Sequence, residues 1–416
     1  MLYAFLTNAR FNLTIVNMIK RHLSKYILKY AKQYPIVAIV GPRQSGKTTL
    51  AKDLFPDYKY LSLENLNLRK HASEDPEGFL ATHGSYLILD EVQHVPELFS
   101  FLQEIVDANQ KPGQYILTGS LQFLLVEKIT QTLAGRIVTF KLFPFTYTEL
   151  FEFDEDKNGD SIFQVEHHDR PKVTQEELYK LMLTGFYPRI YDKHLDSEKW
   201  YENYVFTYLE RDIRSLLNVR NLRTFEHFLL LCASRSGQLL DYRDISNALG
   251  VSATTVKEWI SILETSGIIF ILRPYFENFS KRIVKTPKLY FIDTGLLCHL
   301  LSIRTEDHLK THPLLGWVFE TFIISECYKR FCNLGETPQL YFWRDQTQNE
   351  IDLLIHSGLK TFPIEIKFSQ SFHSDYKKTI EHWMDLKKNP ARHGAVIYCG
   401  ESMNTSSIPA YSWYKR

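Results

Sequence analysis

The 416-residue sequence predicts an α/β protein built as three successive units. Three observations carry this. From Ile36 onward, apolar runs alternate with helical patterns, as in a parallel sheet wrapped by helices. Residues 239–290 read as two short helices split at Gly250-Val251-Ser252, then two β-rich runs, the order of a winged helix-turn-helix. From Leu314 onward the order is helix, hairpin, helix, strand, a smaller α/β unit. The length agrees, because a chain of this size exceeds one typical domain.

In the first unit, strands are expected at Ile36–Val40, Tyr58–Leu63, Tyr86–Leu89, Tyr115–Thr118 and Ile137–Leu142, with helices at Lys47–Leu54, Pro96–Ala108 and Leu121–Leu133. Glu152 to Arg170 holds seven acidic residues and few large apolar ones, and reads as an exposed linker. Helical patterns resume at Gln175–Leu183, Ser197–Leu217 and Leu222–Ala233. In the winged unit, helices are expected at Asp241–Leu249 and Ala253–Thr265, and β-rich runs at Ile268–Tyr275 and Ile283–Phe291. The last unit reads as a helix at Leu315–Phe331, a hairpin of Asn349–Ile355 with Thr361–Phe368, a helix at Asp375–Lys388 and a strand at Gly394–Tyr398. The resulting units are 18–150, 171–300 and 301–416.

Composition narrows the function classes. The chain is 44% apolar and 23% charged with a formal net charge of +1, so any nucleic-acid-binding surface must be local. Five scattered cysteines, none in a C-x-x-C pair, suggest neither a disulfide framework nor a zinc site and fit a reducing cytoplasm. Asn8, Arg10, Asn12 and Asn17 interrupt the apolar N-terminal stretch, so no signal-peptide core and no membrane association are expected.

The strongest local signal is Gly41-Pro42-Arg43-Gln44-Ser45-Gly46-Lys47-Thr48, a G-x-x-x-x-G-K-T run between a strand and a helix. Its glycines let backbone N–H groups curl around a phosphate at a helix N-terminus. This P-loop predicts ATP·Mg²⁺ as ligand, with Lys47 on the β- and γ-phosphates and Thr48 on the metal. Tyr86-Leu87-Ile88-Leu89 then delivers Asp90 to the carboxyl end of a strand, where it would hold Mg²⁺ through water. Glu91, one residue on, is placed to polarise an attacking water as general base. The Asp-Glu pair is weak alone, but 43 residues after Lys47 it is a strong signal. Thr118-Gly119-Ser120 ends the fourth strand, where a hydroxyl would either orient the water or serve turn chemistry. Arg136 precedes the fifth strand and is either a surface charge or an arginine finger aimed at a neighbouring subunit of a homo-oligomer.

Near the C-terminus, Glu350-Ile351-Asp352 and Ile364-Glu365-Ile366-Lys367 flank a turn at Gly358-Leu359. With the turn centred there, Asp352 faces Glu365 across the hairpin, about 5 Å apart at Cβ, and Lys367 shares the Glu365 face. Glu320 sits one helix earlier amid apolar neighbours. This is the order of a PD-(D/E)XK metal-dependent nuclease. Glu320, Asp352 and Glu365 would hold Mg²⁺ or Mn²⁺, and Lys367 would steady the attacking hydroxide. The alternative is a plain ion network on a solvated hairpin.

In the winged unit, Thr254, Thr255 and Lys257 form a polar helix face suited to a DNA major groove. Lys281, Arg282, Lys285 and Lys288, interleaved with Tyr275, Phe276 and Phe279, suit a phosphate-contacting wing. A winged helix used only for packing between domains fits the same residues.

Together these motifs resemble the prokaryotic AAA-type P-loop ATPases that carry an uncharacterised C-terminal region of winged-helix and PD-(D/E)XK character. The resemblance runs from Met18 to about Trp413. It rests on the P-loop through Thr49, Leu89-Asp90-Glu91-Val92-Gln93, Leu117-Thr118-Gly119-Ser120 and Leu133-Ala134-Gly135-Arg136. It continues with Gly185-Phe186-Tyr187-Pro188, Leu209-Glu210-Arg211-Asp212-Ile213, the run Pro287–Gly295 and Ile364-Glu365-Ile366-Lys367. Phe186 departs from it, standing where a second glycine is frequent. The resemblance implies an ATPase module fused to a DNA-related C-terminus.

Overall fold

The structure, a computed structural model, describes residues 19–120, 132–151, 173–208, 222–275, 286–357, 360–387, 394–403 and 408–414. The N-terminal extension, most of the expected helix at 121–133, the acidic linker, the motif at 209–213, the wing at 276–285 and the hairpin turn at 358–359 lie outside the described residues.

The first sheet has five parallel strands in the order β2-β3-β4-β1-β5. They are β1 (Ile36–Gly41), β2 (Lys59–Ser62), β3 (Leu87–Asp90), β4 (Tyr115–Ser120) and β5 (Ile137–Lys141). β1, β3 and β4 are buried along their whole length, which explains why they read as continuous apolar runs rather than as alternation. All strands point the same way, so Gly41, Asp90 and Ser120 emerge at one carboxyl edge. Arg136 lies at the opposite edge, where its carbonyl accepts from Ile36 N–H at 3.2 Å.

The second sheet has seven strands in the order β12-β11-β10-β9-β8-β6-β7. They are β6 (Ile269–Pro274), β7 (Lys288–Phe291), β8 (Leu340–Arg344), β9 (Glu350–Ser357), β10 (Lys360–Lys367), β11 (Ala395–Tyr398) and β12 (Ala410–Ser412). β9 and β10 pair with Ser357 opposite Lys360 and Leu353 opposite Ile364, the register that a turn on Gly358-Leu359 dictates. Parallel pairing of Arg273 with Tyr341 and Pro274 with Phe342 joins the β6–β7 hairpin to β8, so one sheet runs through both units. β8 and β12 are strands that the sequence pattern did not reveal.

The helices Tyr242–Leu249 and Ala253–Thr265 form as expected, divided by Gly250 at φ +67° and capped by Ser252, whose side chain accepts from Thr255 N–H. The 19-residue helix Leu315–Asn333 packs between the two sheets and is buried on most of its surface, which is why it lacks a clear amphipathic stripe.

Candidate nucleotide site and C-terminal charge cluster

The loop after β1 is held by close contacts. A methyl group on Gly41 would overlap the Leu142 carbonyl oxygen, so only glycine fits there. Gln44 and Gly46 both have positive φ, 61° and 93°, and the loop turns directly into the helix Lys47–Leu54. Lys47 is buried, and its ammonium donates to the Pro42 carbonyl at 2.9 Å. Burial lowers its pKa, with Glu91 and Asp90 working the other way.

Asp90 collects three hydroxyls. Thr48 donates to its Oδ1 at 2.8 Å, Thr118 donates to the same oxygen, and Tyr60 donates to Oδ2 at 2.7 Å. The Tyr60 phenol is pushed up to about 12, by burial first and by this bond second. Glu91 holds a left-handed backbone at φ 55°, uncommon for a residue with a side chain. Its carboxylate accepts from Gln93, whose amide also donates to Ser120 Oγ at 3.1 Å. Lys47, Thr48, Asp90, Glu91 and Thr118 therefore meet at one edge, as the sequence suggests.

Sequence reasoning missed Tyr60, Gln93 and Arg21. Arg21 is buried and donates to the Ser45 carbonyl at 3.0 Å, to the Phe143 carbonyl at 2.6 Å and to Glu149 at 3.1 Å. Burial alone would raise the Glu149 pKa, but Arg21, His22 and the backbone N–H groups of Thr146 and His22 together outweigh it and hold the carboxyl below its usual range. The signal for Glu149 was present as Thr146-x-x-Glu149, a capping box that forms in the structure. Arg136 is exposed and bidentate to Asp107, with a 2.8 Å bond to Oδ2, at the far edge of the sheet from its own P-loop.

The strap after β5 connects the two halves. Tyr147 N–H donates to Glu326 at 2.7 Å and Lys329 donates to the Phe145 carbonyl at 2.8 Å, both partners lying on the helix Leu315–Asn333. That helix also carries Glu320 into the second charged cluster.

There the sequence-named carboxylates gather, but around lysines. Lys288 is 1% exposed and reaches Glu350 at 2.5 Å and Glu320 at 3.4 Å. Lys367 reaches Glu365 at 2.5 Å and Asp352 at 3.6 Å. Tyr290 donates to Glu320 at 2.6 Å and Ile366 N–H donates to Asp352 at 2.8 Å. Burial raises Glu320 to about 7 and Glu365 to about 8, each further raised by Asp352. Burial alone would lower both lysines, but the carboxylates outweigh it and lift them above the ordinary range.

One expectation is corrected here. Lys288 does not contact phosphate from a wing, because its ammonium is buried as a counterion. Among the described residues no three His, Cys, Asp or Glu side chains are arranged to hold an ion. The two lysines supply the positive charge instead. Glu365 Oε2 is buried without a hydrogen-bond partner.

A family model described as "AAA domain" matches residues 33–151. Two domains of unknown function match the remainder, DUF8612 over 175–307 and DUF4143 over 315–411. An uncharacterised protein of Mycobacterium tuberculosis is 29% identical over 338 residues, covering 80% of this chain and 70% of that one. An uncharacterised protein of Methanocaldococcus jannaschii is 23% identical over 364 residues, covering 78% and 74%. Among solved structures, a Walker-type ATPase of Pyrococcus abyssi superposes with a TM-score of 0.41 at 16% identity, covering 68% of this chain and 96% of that one. Residues 33–151 are thus similar to an AAA domain and contain the P-loop at residues 41–48. No helix among the described residues is long and apolar enough to cross a membrane.

Proposed function

We propose that the protein binds ATP·Mg²⁺ on residues 41–49 and hydrolyses it, and that the nucleotide cycle controls a nucleic-acid-binding C-terminal region. The observation that carries this is the convergence of Lys47, Thr48, Asp90, Glu91 and Thr118 at one sheet edge. Lys47 rests on a neutral carbonyl and Thr48 on Asp90. Both are bonds that a phosphate and a cation can take over without stranding a charge. The hydroxyl and carboxylate oxygens suit a hard cation, and Thr48 and Asp90 would hold Mg²⁺. When bound, that ion neutralises charge on the phosphates. Glu91 takes the proton from the attacking water, and Thr118 keeps Asp90 oriented. Arg136 acts from a second copy of the chain, after leaving Asp107.

Two helices followed by an antiparallel pair support a winged-helix role for residues 242–291, and the order Glu320, Asp352, Glu365, Lys367 supports a PD-(D/E)XK-like unit. Because lysines neutralise its carboxylates, that unit serves binding rather than cutting. A metal-dependent nuclease is the second possibility, favoured by the unpartnered buried oxygen of Glu365.

Calorimetry and phosphate release test the ATPase. Lys47→Ala should weaken ATP binding at least about 100-fold, the loss of roughly two charge-assisted bonds. Glu91→Gln should bind normally and turn over about 100- to 10,000-fold more slowly. Arg136→Ala should bind ATP without turning it over, and mixing it with Lys47→Ala should restore activity. Parent-like ATP binding by Lys47→Ala together with parent-like turnover by Glu91→Gln would refute the site. DNA cleavage with Mg²⁺ or Mn²⁺ by the parent, lost in Asp352→Asn, would replace the binding role with the nuclease.

A further inference from the structure

The seven-stranded sheet is not paved evenly. On one face, Trp343, Ile351, Leu354 and Val396 pack under the helix Lys378–Lys387 through Trp383 and Met384. Toward β6 the same face opens into a cavity of about 760 Å³ between the sheet and the helix Ala253–Thr265. That volume lies within the range of small-ligand sites, and it is far too small for a duplex lying in it.

Strand alternation explains the floor. Ile271 and Arg273 on β6 and Tyr275 just past its end are spaced by two, so they share a face. Tyr341 pairs with Arg273 on the adjoining strand, and its ring lies 5.5 Å from that of Tyr275. His356 stands 6.0 Å from Tyr275 on the far side. Helical spacing explains the wall, where Lys257, Ile260, Ser261 and Glu264 form one stripe. Val256, Trp259 and Leu263 turn the other way, into the core. Lys257 is exposed, and its ammonium lies 5.6 Å above the ring of Tyr242.

The groove thus alternates cations with aromatic faces. Lys257 and Arg273 carry permanent positive charge against the single carboxylate of Glu264. Tyr242 and Tyr341 are half-buried, leaving ring surface open beside those cations. Exposed cations next to open rings match the repeating phosphate and base of a single strand. An acidic peptide would use the cations and leave the rings idle.

We propose that this groove, rather than the outer face of the helix Ala253–Thr265, binds single-stranded nucleic acid. The inference rests on the nucleic-acid role given to the C-terminal region, and it names the substrate class and the surface.

The test uses the full chain and fluorescence anisotropy with three probes: a labelled 12-nucleotide oligothymidine, the matching 12-base-pair duplex and labelled polyglutamate. Arg273→Glu and Lys257→Glu change exposed side chains, and intact ATP turnover confirms that each variant is folded. The expected result is tighter binding of the single strand than of either other probe. It should be weakened about tenfold or more by each charge reversal and by Tyr341→Leu. Single-strand binding that all three variants retain would place the surface elsewhere while leaving the nucleic-acid role standing. Preference for the duplex, or polyglutamate binding of equal strength, would overturn the single-strand assignment. Absence of binding to either nucleic acid, with and without ATP, would overturn the groove and the nucleic-acid role together.

Discussion

The two charged sites of this chain each set lysine beside carboxylates, and they do so in opposite ways. At the P-loop, Lys47 leans on the Pro42 carbonyl, while Asp90 is satisfied by hydroxyls from Thr48, Thr118 and Tyr60. In the C-terminal cluster, Lys288 and Lys367 sit directly on Glu320, Glu350, Asp352 and Glu365. A cation on a neutral carbonyl can transfer to an incoming phosphate. A cation buried between carboxylates already has its counterions, and drawing it away strands charge in the interior. The first arrangement leaves its lysine transferable, and the second does not.

The sharpest way to break this contrast is to remove one lysine from each site. Lys288→Met leaves the buried Glu320 without its cation, while Glu350 keeps Arg344 at 3.0 Å, and should destabilise the chain by about 3–5 kcal/mol in urea unfolding. Lys47→Met removes a charge that burial already disfavours and should change stability by less than about 1 kcal/mol. Equal losses would mean that both lysines are structural.

A second difference lies in pH. Glu320 and Glu365 have folded-state values of about 7 and about 8, above the ordinary 4.5. The folded chain therefore binds protons more tightly than the unfolded one between those values. Their contribution is greatest below 4.5 and is lost as pH rises toward 8. The unfolding midpoint should fall over pH 5–8, and Glu365→Gln should flatten the slope, by on the order of 2 kcal/mol across the range. A midpoint that instead rises with pH, or a slope that the variant leaves intact, would remove Glu365 from the cluster's proton balance.

The smallest expected effect belongs to Tyr60→Phe. It takes one hydroxyl from Asp90 while Thr48 and Thr118 remain, and should lower ATP turnover less than about tenfold. A loss as deep as that of Glu91→Gln would show that Tyr60 takes part in the chemistry rather than in holding Asp90.

Legibility in the sequence followed distance along the chain. The P-loop was plain because eight consecutive residues carry it, and β1, β3 and β4 were plain because buried parallel strands leave unbroken apolar runs. The β9–β10 register was readable because centring the turn on Gly358-Leu359 predicts every pair, and the pairs from Ser357–Lys360 to Leu353–Ile364 follow it. Lys288 was misread, since a basic aromatic run looks like a wing until Glu320, 32 residues away, closes on it. The union of β6 with β8 was invisible, because a parallel pair formed across 68 residues leaves no mark in either segment. Arg21 was missed for the same reason, its carboxylate partner being 128 residues distant.

The strap at residues 143–150 bears on how the chain comes apart. Arg21 holds its first carbonyl, Phe186 accepts from Phe145 N–H at 2.9 Å, Lys329 holds the Phe145 carbonyl, and Tyr147 rests 5.3 Å from Trp413 near the C-terminus. Phe143, Phe145, Tyr147 and Leu150 thus lie in one buried cluster that runs through both sheets. A melting curve should show one cooperative transition rather than one for each unit. Neither half expressed alone should stay dispersed, because cutting the strap bares Tyr147 on one piece and Phe322 with Trp413 on the other.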